Sequence, residues 1–405
     1  MTASHGAGDG GTGAGATALG GVKVLDFSRV LAGPLAAMTL GDLGADVIKV
    51  ERPGSGDDTR AWGPPFKGDD AAYFLSLNRN KKSVVLDLAT DEGRSIAVRL
   101  AGGCDVVLEN FRPGLMDSWG LGFDALNEAY PRLVYCSVTA FGSEPASSQP
   151  GYDIIMQGVT GLMSITGQDP GAPTKSGVAI LDVIAGLQAT VGVLAALAAR
   201  ERTGRGQRVE VSLFEAGVAA LVNQAANHLI GGAVPGPMGN AHPNIVPYQT
   251  FEAADRPFIL AVGNDRLFGW ACEAIGRPEL AADPRWATNR DRVRNRAELT
   301  ALLGEVFGTR DADTWLSKLS ARKVPCAPIR ALDEVFGSPE GQTAVETVAD
   351  PVRGDLRLVA NPVRMSDTPA STRRPPPALG EHTEEVLAGL ADSMLKGSDH
   401  SGEPT

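Results

Sequence analysis

Lys175 to Gln207 reads KSGVAILDVIAGLQATVGVLAALAARERTGRGQ, and no charge falls between Asp182 and Arg200. Ala, Val, Ile and Leu occupy every face at helical spacing. Such a stretch is predicted to be a helix buried all round rather than one with a wet face. The run Val178-Ala179-Ile180-Leu181 ahead of it reads as a short extended segment, which puts Asp182 at the junction, in the first turn of the helix. Thr203, Gly204 and Gly206 end the pattern. Asp182 then has two readings. As an N-cap it accepts a hydrogen bond from an orphan N–H and suits the helix dipole. As a carboxylate nucleophile it is kept ionised by those same N–H groups and shielded from bulk water. Spacing alone favours the cap.

Upstream, apolar strand-like runs alternate with helical ones. Val22–Phe27, Asp46–Glu51, Ser83–Leu88, Asp105–Leu108 and Leu133–Val138 read as strands. Pro34–Leu43 reads as a helix, Asp91–Leu100 as a helix opened by Thr90 as cap, and the stretch before Tyr130 as broken helix. The alternation argues for a mostly parallel sheet covered on both faces, with ligands beyond the carboxyl ends of its strands. Downstream, Arg208–Ser212 is a further strand leading into an apolar helix to about Ile230.

The expected fold class is therefore α/β, with a large doubly wound domain over 21–230. Residues 231–244, GGAVPGPMGNAHPN, read as a Gly/Pro-rich linker or active-site loop. A smaller domain is expected over 245–335, and 336–390 is loop-rich before a last helix capped by Thr383. Residues 1–20 are rich in Gly, Ala, Thr and Ser without an apolar core or Arg, and read as a flexible tail, like 391–405.

The 405 residues are 43% hydrophobic and 21% charged, an ordinary globular balance. A net charge of −11 argues against nucleic acid or an anionic membrane as the main partner, while a local basic pocket can still hold an anionic ligand. No apolar run is expected to reach membrane-span length without Gly or polar breaks. Cys104, Cys136, Cys272 and Cys326 are far apart and read as reduced core thiols of a cytoplasmic protein. No metal is expected, since no histidine pair has ligand spacing. His242 sits in the Gly/Pro loop beside Asn240, and His382 reads as structural.

The first β-α-β unit ends on Glu51, where a ribose-binding acid would stand. Its turn, Val30-Leu-Ala-Gly-Pro34, lacks G-x-G-x-x-G, which argues against a dinucleotide site. Arg52, Arg60, Arg79, Lys81, Lys82 and Arg112 recur at loops near one sheet edge. Each alone is an ordinary solvated charge, but together they suit a phosphorylated ligand. No serine sits in a G-x-S-x-G elbow, so the catalytic candidates are carboxylates, Asp182 and Asp153 foremost.

Taken together, Val24-Leu-Asp-Phe27, Ala32-Gly-Pro34, Leu43–Arg52, Gly54-Ser-Gly-Asp57 with Thr59-Arg60, Asn80-Lys-Lys-Ser83, Glu109–Gly114, Gly151-Tyr-Asp153, Thr203–Gln207 and Leu379–Thr383 resemble the class III CoA-transferase family. This family includes formyl-CoA transferase, carnitine CoA-transferase and α-methylacyl-CoA racemase. The resemblance spans about Gly21 to Leu387. It implies a large Rossmann-like domain with a smaller α+β domain, the C-terminal segment 336–390 returning to the large domain, in an interlocked homodimer. It implies coenzyme A or acyl-CoA as substrate, no permanently bound cofactor, and Asp182 as nucleophile, which sets aside the cap. CoA contacts of the family match Leu31 and Ala32, Arg52, and the segment Leu86, Asp87, Leu88 and Ala89. They also match Asn110, Phe111 and Arg112, then Ser118, and finally Pro150, Gly151, Tyr152 and Asp153. Asn240 and His242 stand near the family's substrate loop.

The chain departs from the racemases, which carry His at Tyr152 and Asn at Val178, and a racemase needs an acid and a base across the α-carbon. It departs from the formyl-CoA transferases, which carry Gln at Leu31 and a glycine run near 239–243, and so turns away from oxalate and formate. The resemblance thus implies an acyl-CoA:carboxylate CoA-transferase of the cytoplasm with a dicarboxylate as the guessed acid. A 2-methylacyl-CoA epimerase and a non-catalytic CoA-binding protein are the alternatives.

Overall fold

The computed structural model describes residues 17–142 and 151–398. Of the expected tails 1–20 and 391–405, residues 1–16 and 399–405 lie outside them, as does Pro150; 391–398 are not tail but the end of a helix, Thr383–Ser398. The chain divides into two compact units. Of the described residues, one holds those up to Met156, Val178–Ala220 and those from Thr343; the other holds Gln157–Gly177 and Leu221–Gln342. Two boundaries thus fall away from those read in the sequence. Gln157–Gly177 leaves the large domain, and the second unit opens at Leu221 rather than after the Gly/Pro loop.

The first unit is built on six parallel strands: β1 (Lys23–Asp26), β2 (Asp46–Glu51), β3 (Lys81–Val85), β4 (Val106–Glu109), β5 (Val134–Thr139) and β6 (Arg208–Ser212). Their order is β3-β2-β1-β4-β5-β6. The order reverses beside β1, so a crevice forms beyond the carboxyl ends of β1 and β4, the usual ligand site of a doubly wound sheet. Alternate residues of the strands, including Leu25, Ile48, Val84, Val107 and Tyr135, pack on one face against Ala97, Leu100 and Ala101 of α2 (Asp91–Gly102). Thr90 caps α2 through the Gly93 N–H, as its sequence predicts.

On the other face lie α1 (Ala32–Asp42) and a long helix, Ile180–Thr203. Of the short helices before it in the chain, Leu115–Ser118 is named α3 and Asp153–Val159 α4, so the long helix is α5. The helix α5 packs on α1 closely enough that a Cβ at Gly186 would meet the Ala32 carbonyl at 2.6 Å, so only glycine fits there. One expectation for α5 needs correction. It is not buried all round: Leu187 and Val191 are 49% and 61% exposed. The helix is long and apolar enough to cross a membrane by length and composition, but it carries the breaks Gly186, Gln188 and Gly192, and Leu181, Ala185, Ala189 and Val193 are buried in this unit. After β6, the helix expected to run to Ile230 is two helices, α6 (Leu213–Ala220) and α7 (Val222–Leu229), broken where Val222 takes φ 41°.

In the second unit a three-stranded antiparallel sheet is made by β7 (Tyr248–Glu252), β8 (Pro257–Ala261) and β9 (Cys326–Pro328). Phe258, Phe268, Trp286, Phe307 and Trp315 form its core.

The segment from Thr343 belongs to the first unit. It carries a hairpin, β10 (Val345–Val348) with β11 (Leu356–Val359), and ends in α8 (Thr383–Ser398). Ion pairs and hydrogen bonds tie it down. Arg60 pairs with Glu51 at 2.7 Å and Asp70 at 2.8 Å and donates to the Pro377 carbonyl. Asp70 in turn pairs with Arg353. Arg79 pairs with Asp42 at 2.6 Å and donates to the Val359 carbonyl. Lys81 is fully buried against Asp26 at 3.1 Å. Arg60, Arg79 and Lys81 therefore hold the unit together and are not the ligand-seeking basic edge the sequence suggested. Lys81 shows the strain of such burial: desolvation pulls it down to about 8, against the charge of Asp26.

Candidate active site

Asp182 stands in the first turn of α5, which begins at Ile180. The extended run expected over 178–181 is thus half helix. Its N-cap residue, Ala179, has no capping side chain. Asp153, from the start of α4, supplies the cap instead: its Oδ1 accepts the N–H of Leu181 at 2.8 Å and that of Asp182 at 3.4 Å. The next N–H groups are also taken, Ile180 by the Val178 carbonyl and Val183 by that of Ala179. Asp182 is therefore not the cap of its own helix, and the N–H groups at the start of α5 do not stabilise its carboxylate.

Among the described residues, none donates a hydrogen bond to the Asp182 side chain. Burial, and then the charge of Asp153, push its carboxyl up to about 7. Next to it, burial and then the charges of Asp182 and Asp153 raise the Tyr73 hydroxyl to about 12. Tyr73, like Ala179 and Val183, packs against Leu31, Met38 and Leu77, and it meets the Trp62 ring edge-on at 5.6 Å between centroids. Sequence reading passed over Tyr73, because a tyrosine in a four-residue helix carries no motif.

Asp182 faces a cavity of about 590 Å³ walled by Val30, Leu31 and Ala32 on one side and Gly151 and Tyr152 on another. Asn110 and Arg112 line it as well. A second cavity, of about 230 Å³, is lined by Arg52 and by Leu86, Asp87, Leu88 and Ala89. Arg29, Phe111 and Leu115 belong to both. So most positions that the family resemblance singled out come together on two neighbouring hollows, with three lining residues in common, at the carboxyl ends of β1, β2, β3 and β4.

The rest are placed otherwise. The Ser118 hydroxyl donates to the Leu115 carbonyl at 2.7 Å, and Ser118 lines neither cavity. Asp153 is spent on the cap. The Asn110 side chain is also committed: it accepts from the Arg29 N–H at 2.8 Å and donates to the Arg29 carbonyl at 2.7 Å. Arg52 is exposed, donates to Ser55 Oγ at 2.6 Å and pairs with Asp58. Asn240 and His242 lie in the second unit, where Asn240 donates to Thr250 Oγ1 and His242 Nδ1 accepts the Asn244 N–H. Partial burial, and then Arg296, lower the His242 pKa.

Two buried groups behind the walls also escaped sequence reading. Asp57 pairs with Lys49 at 2.9 Å with both side chains fully buried. Burial opposes its ionisation, yet Lys49 outweighs that and draws Asp57 down to about 2. Glu109, at the end of β4, accepts the Phe111 N–H at 2.7 Å, and burial pushes it up to about 7.

Comparison with known proteins fits this geometry. Residues 19–383 match the model of CoA-transferase family III. The chain is 42% identical over 372 residues to a human protein named succinyl-CoA:glutarate CoA-transferase, covering 91% of this chain and 85% of the relative. It is 42% identical over 387 residues to the succinate–glutarate CoA-transferase of Agrobacterium fabrum, covering 92% and 95%. A crystal structure of a CAIB/BAIF family protein from Brucella suis superposes with a TM-score of 0.81 at 43% identity, over 92% of this chain and 99% of that one. With the family model matched along nearly its whole length and carboxylate-acting relatives over nine-tenths of it, the chain belongs to CoA-transferase family III and is a class III CoA-transferase.

Proposed function

We propose that the protein moves CoA between short dicarboxylic acids, with succinyl-CoA as a donor and a glutarate-like acid as acceptor, through covalent intermediates on Asp182. The observation that carries the mechanism is the Asp182 carboxylate itself: it faces the larger cavity, takes no hydrogen bond among the described residues, and does no capping for its own helix. A desolvated carboxylate without donors is a better nucleophile than a hydrated one. Asp182 attacks the thioester carbonyl of the donor. The carbon–sulfur bond breaks, leaving a mixed anhydride and CoA thiolate. The thiolate attacks the Asp182 acyl carbon and expels the donor acid, leaving an aspartyl-CoA thioester. The acceptor carboxylate then runs both steps in reverse.

Each step passes through an oxyanion. With the first N–H groups of α5 occupied, we assign the oxyanion donors to the start of α1. Its N-cap residue Leu31 offers no side-chain cap, and Leu31 and Ala32 line the cavity. The dicarboxylate reading rests on the names of the two relatives. A racemase reading finds no support at Tyr152, a phenol 62% exposed, where a base would be needed.

The test is a panel. Purified protein with succinyl-CoA is offered glutarate, methyl-branched dicarboxylates, oxalate and formate, and new thioesters are read by mass. A glutarate-type thioester is expected. Thioester hydrolysis alone, or inversion of a 2-methylacyl-CoA without acid exchange, would overturn the reading.

An interlocked homodimer is part of the proposal, and the cytoplasm is its expected place. Apolar surface supports the dimer: Leu187 and Val191 on α5, and in the second unit Leu229, Ile230 and Val234, each more than 80% exposed. Sedimentation at falling concentration should keep one dimeric species up to unfolding. A folded, active monomer would rule out the interlock.

A further inference from the structure

Among the described residues, Arg29 is the only cation that lines both cavities. Its main chain is fixed from several sides. Asn110 takes both its N–H and its carbonyl. Just before it, the Ser28 carbonyl accepts from Lys49 Nζ at 2.8 Å, and just after it the Val30 N–H reaches Asp57 Oδ1 at 3.3 Å. Val30 has φ 70°, a left-handed conformation rare for a β-branched residue, which persists only where the surroundings impose it. The guanidinium lies over the Phe111 ring, 4.7 Å from its centroid. Its nearest carboxylate, Asp58, is 3.9 Å away and already pairs with Arg52. Among the described residues the guanidinium donates no hydrogen bond, so its planar fork is free for an anion.

We infer that Arg29 clamps the diphosphate of CoA, and that Asn110 is the residue that positions it. The inference rests on the CoA-transferase reading. CoA joins an adenosine end to an acyl-carrying pantetheine through that diphosphate. With the acyl end at Asp182 in the larger cavity and the nucleotide end beside Leu86–Ala89 in the smaller, the diphosphate crosses the shared wall where Arg29 stands.

The experiment compares the native chain with Arg29→Gln and Asn110→Ala. Binding of CoA and of dephospho-CoA, which keeps the diphosphate and lacks the 3′-phosphate, is measured by calorimetry. Turnover of succinyl-CoA is compared with that of succinyl-pantetheine, which lacks diphosphate and nucleotide. Arg29→Gln should weaken CoA and dephospho-CoA by the same factor, roughly 10–100-fold for a lost charged hydrogen bond. The preference for the CoA thioester over the pantetheine thioester should fall by that factor too. Asn110→Ala should show a smaller share of the same pattern. A loss confined to CoA and absent with dephospho-CoA would assign Arg29 to the 3′-phosphate and overturn the inference. An equal loss with the pantetheine thioester, or no loss at all, would overturn it as well. A native chain that binds no CoA would instead remove the transferase reading, and the inference with it.

Discussion

Asp182→Asn is expected to fold at least as firmly as the native chain and to lose CoA transfer by about 10⁴-fold or more, the scale seen when a nucleophile is removed. The amide keeps the shape of the side chain and cannot form the anhydride. Its stability follows from linkage. Burial, and then Asp153, raise Asp182 from 3.8 to about 7. Between those values the folded state holds a proton that the unfolded state has released, so this group's contribution falls as pH rises from about 4 to 7 and stays low above. Asparagine is neutral throughout. Its stability gain over the native chain should therefore be small at pH 4, grow towards pH 7 and then level off at about 1–3 kcal/mol.

The same titration should appear in the rate. In the native enzyme kcat/KM should drop about tenfold per unit below pH 7, as the nucleophile is protonated. Asp153→Asn removes one charge that raises Asp182, so it should move the profile to lower pH; with a weaker cap it should cost about 0.5–2 kcal/mol in stability. Urea unfolding across pH, initial rates across pH, and hydroxylamine trapping of the acylated peptide read these effects. An Asp182→Asn enzyme that still turns over, or an adduct on Asp153, would move the chemistry elsewhere.

Much of the sheet was legible because its strands are buried on both faces and so read as short apolar runs. Asp46–Glu51 falls where its residues predict; so does Arg208–Ser212, although it is an edge strand with Arg208 and Glu210 exposed. What stayed hidden depends on partners far away in the chain. The start of α5 is fixed by Asp153, 28 residues upstream of Leu181. Without it, a β-branched run before a helix reads as extended. The role of Asn110 is fixed by Arg29, 81 residues away. The charge pattern misled for a related reason. A lysine in a loop-flanked strand looks solvated, yet Lys49 and Lys81 are fully buried, because Asp57 and Asp26 meet them across the fold. The family resemblance took in Gly54–Asp57 and gave Asp57 no role, since conserved-looking segments name positions and not partners.

Asp57→Ala is expected to cost about 3–5 kcal/mol, because it takes from the buried Lys49 ammonium its directly bonded carboxylate, leaving only the Ser28 carbonyl and the charges of Asp26 and Glu51. The loss is larger than that of an ordinary surface pair for a stated reason: both side chains are fully buried at 2.9 Å. Asp57 also accepts from Thr59 N–H at 3.0 Å, from Thr59 Oγ1 at 2.8 Å and from Val30 N–H. Its depressed pKa sets the pH window: the pair's contribution is full above about pH 4 and fades as pH falls towards 2. A second variant separates charge from geometry. In Lys49→Met/Asp57→Leu both charges are gone, while Asp26 keeps Lys81 and Glu51 keeps Arg60. Replacing a buried pair by apolar groups is often neutral, so most of the lost stability should return. CoA affinity should not return, because the Ser28 carbonyl and the Val30 N–H still lack the partners that hold the Arg29 loop in place. Denaturant midpoints and CoA titrations on the two variants decide it. Equal instability of the single and double variants would show that packing, not the unpaired charge, sets the loss. Native CoA affinity in the double variant would show that the Val30 backbone keeps its turn without Asp57.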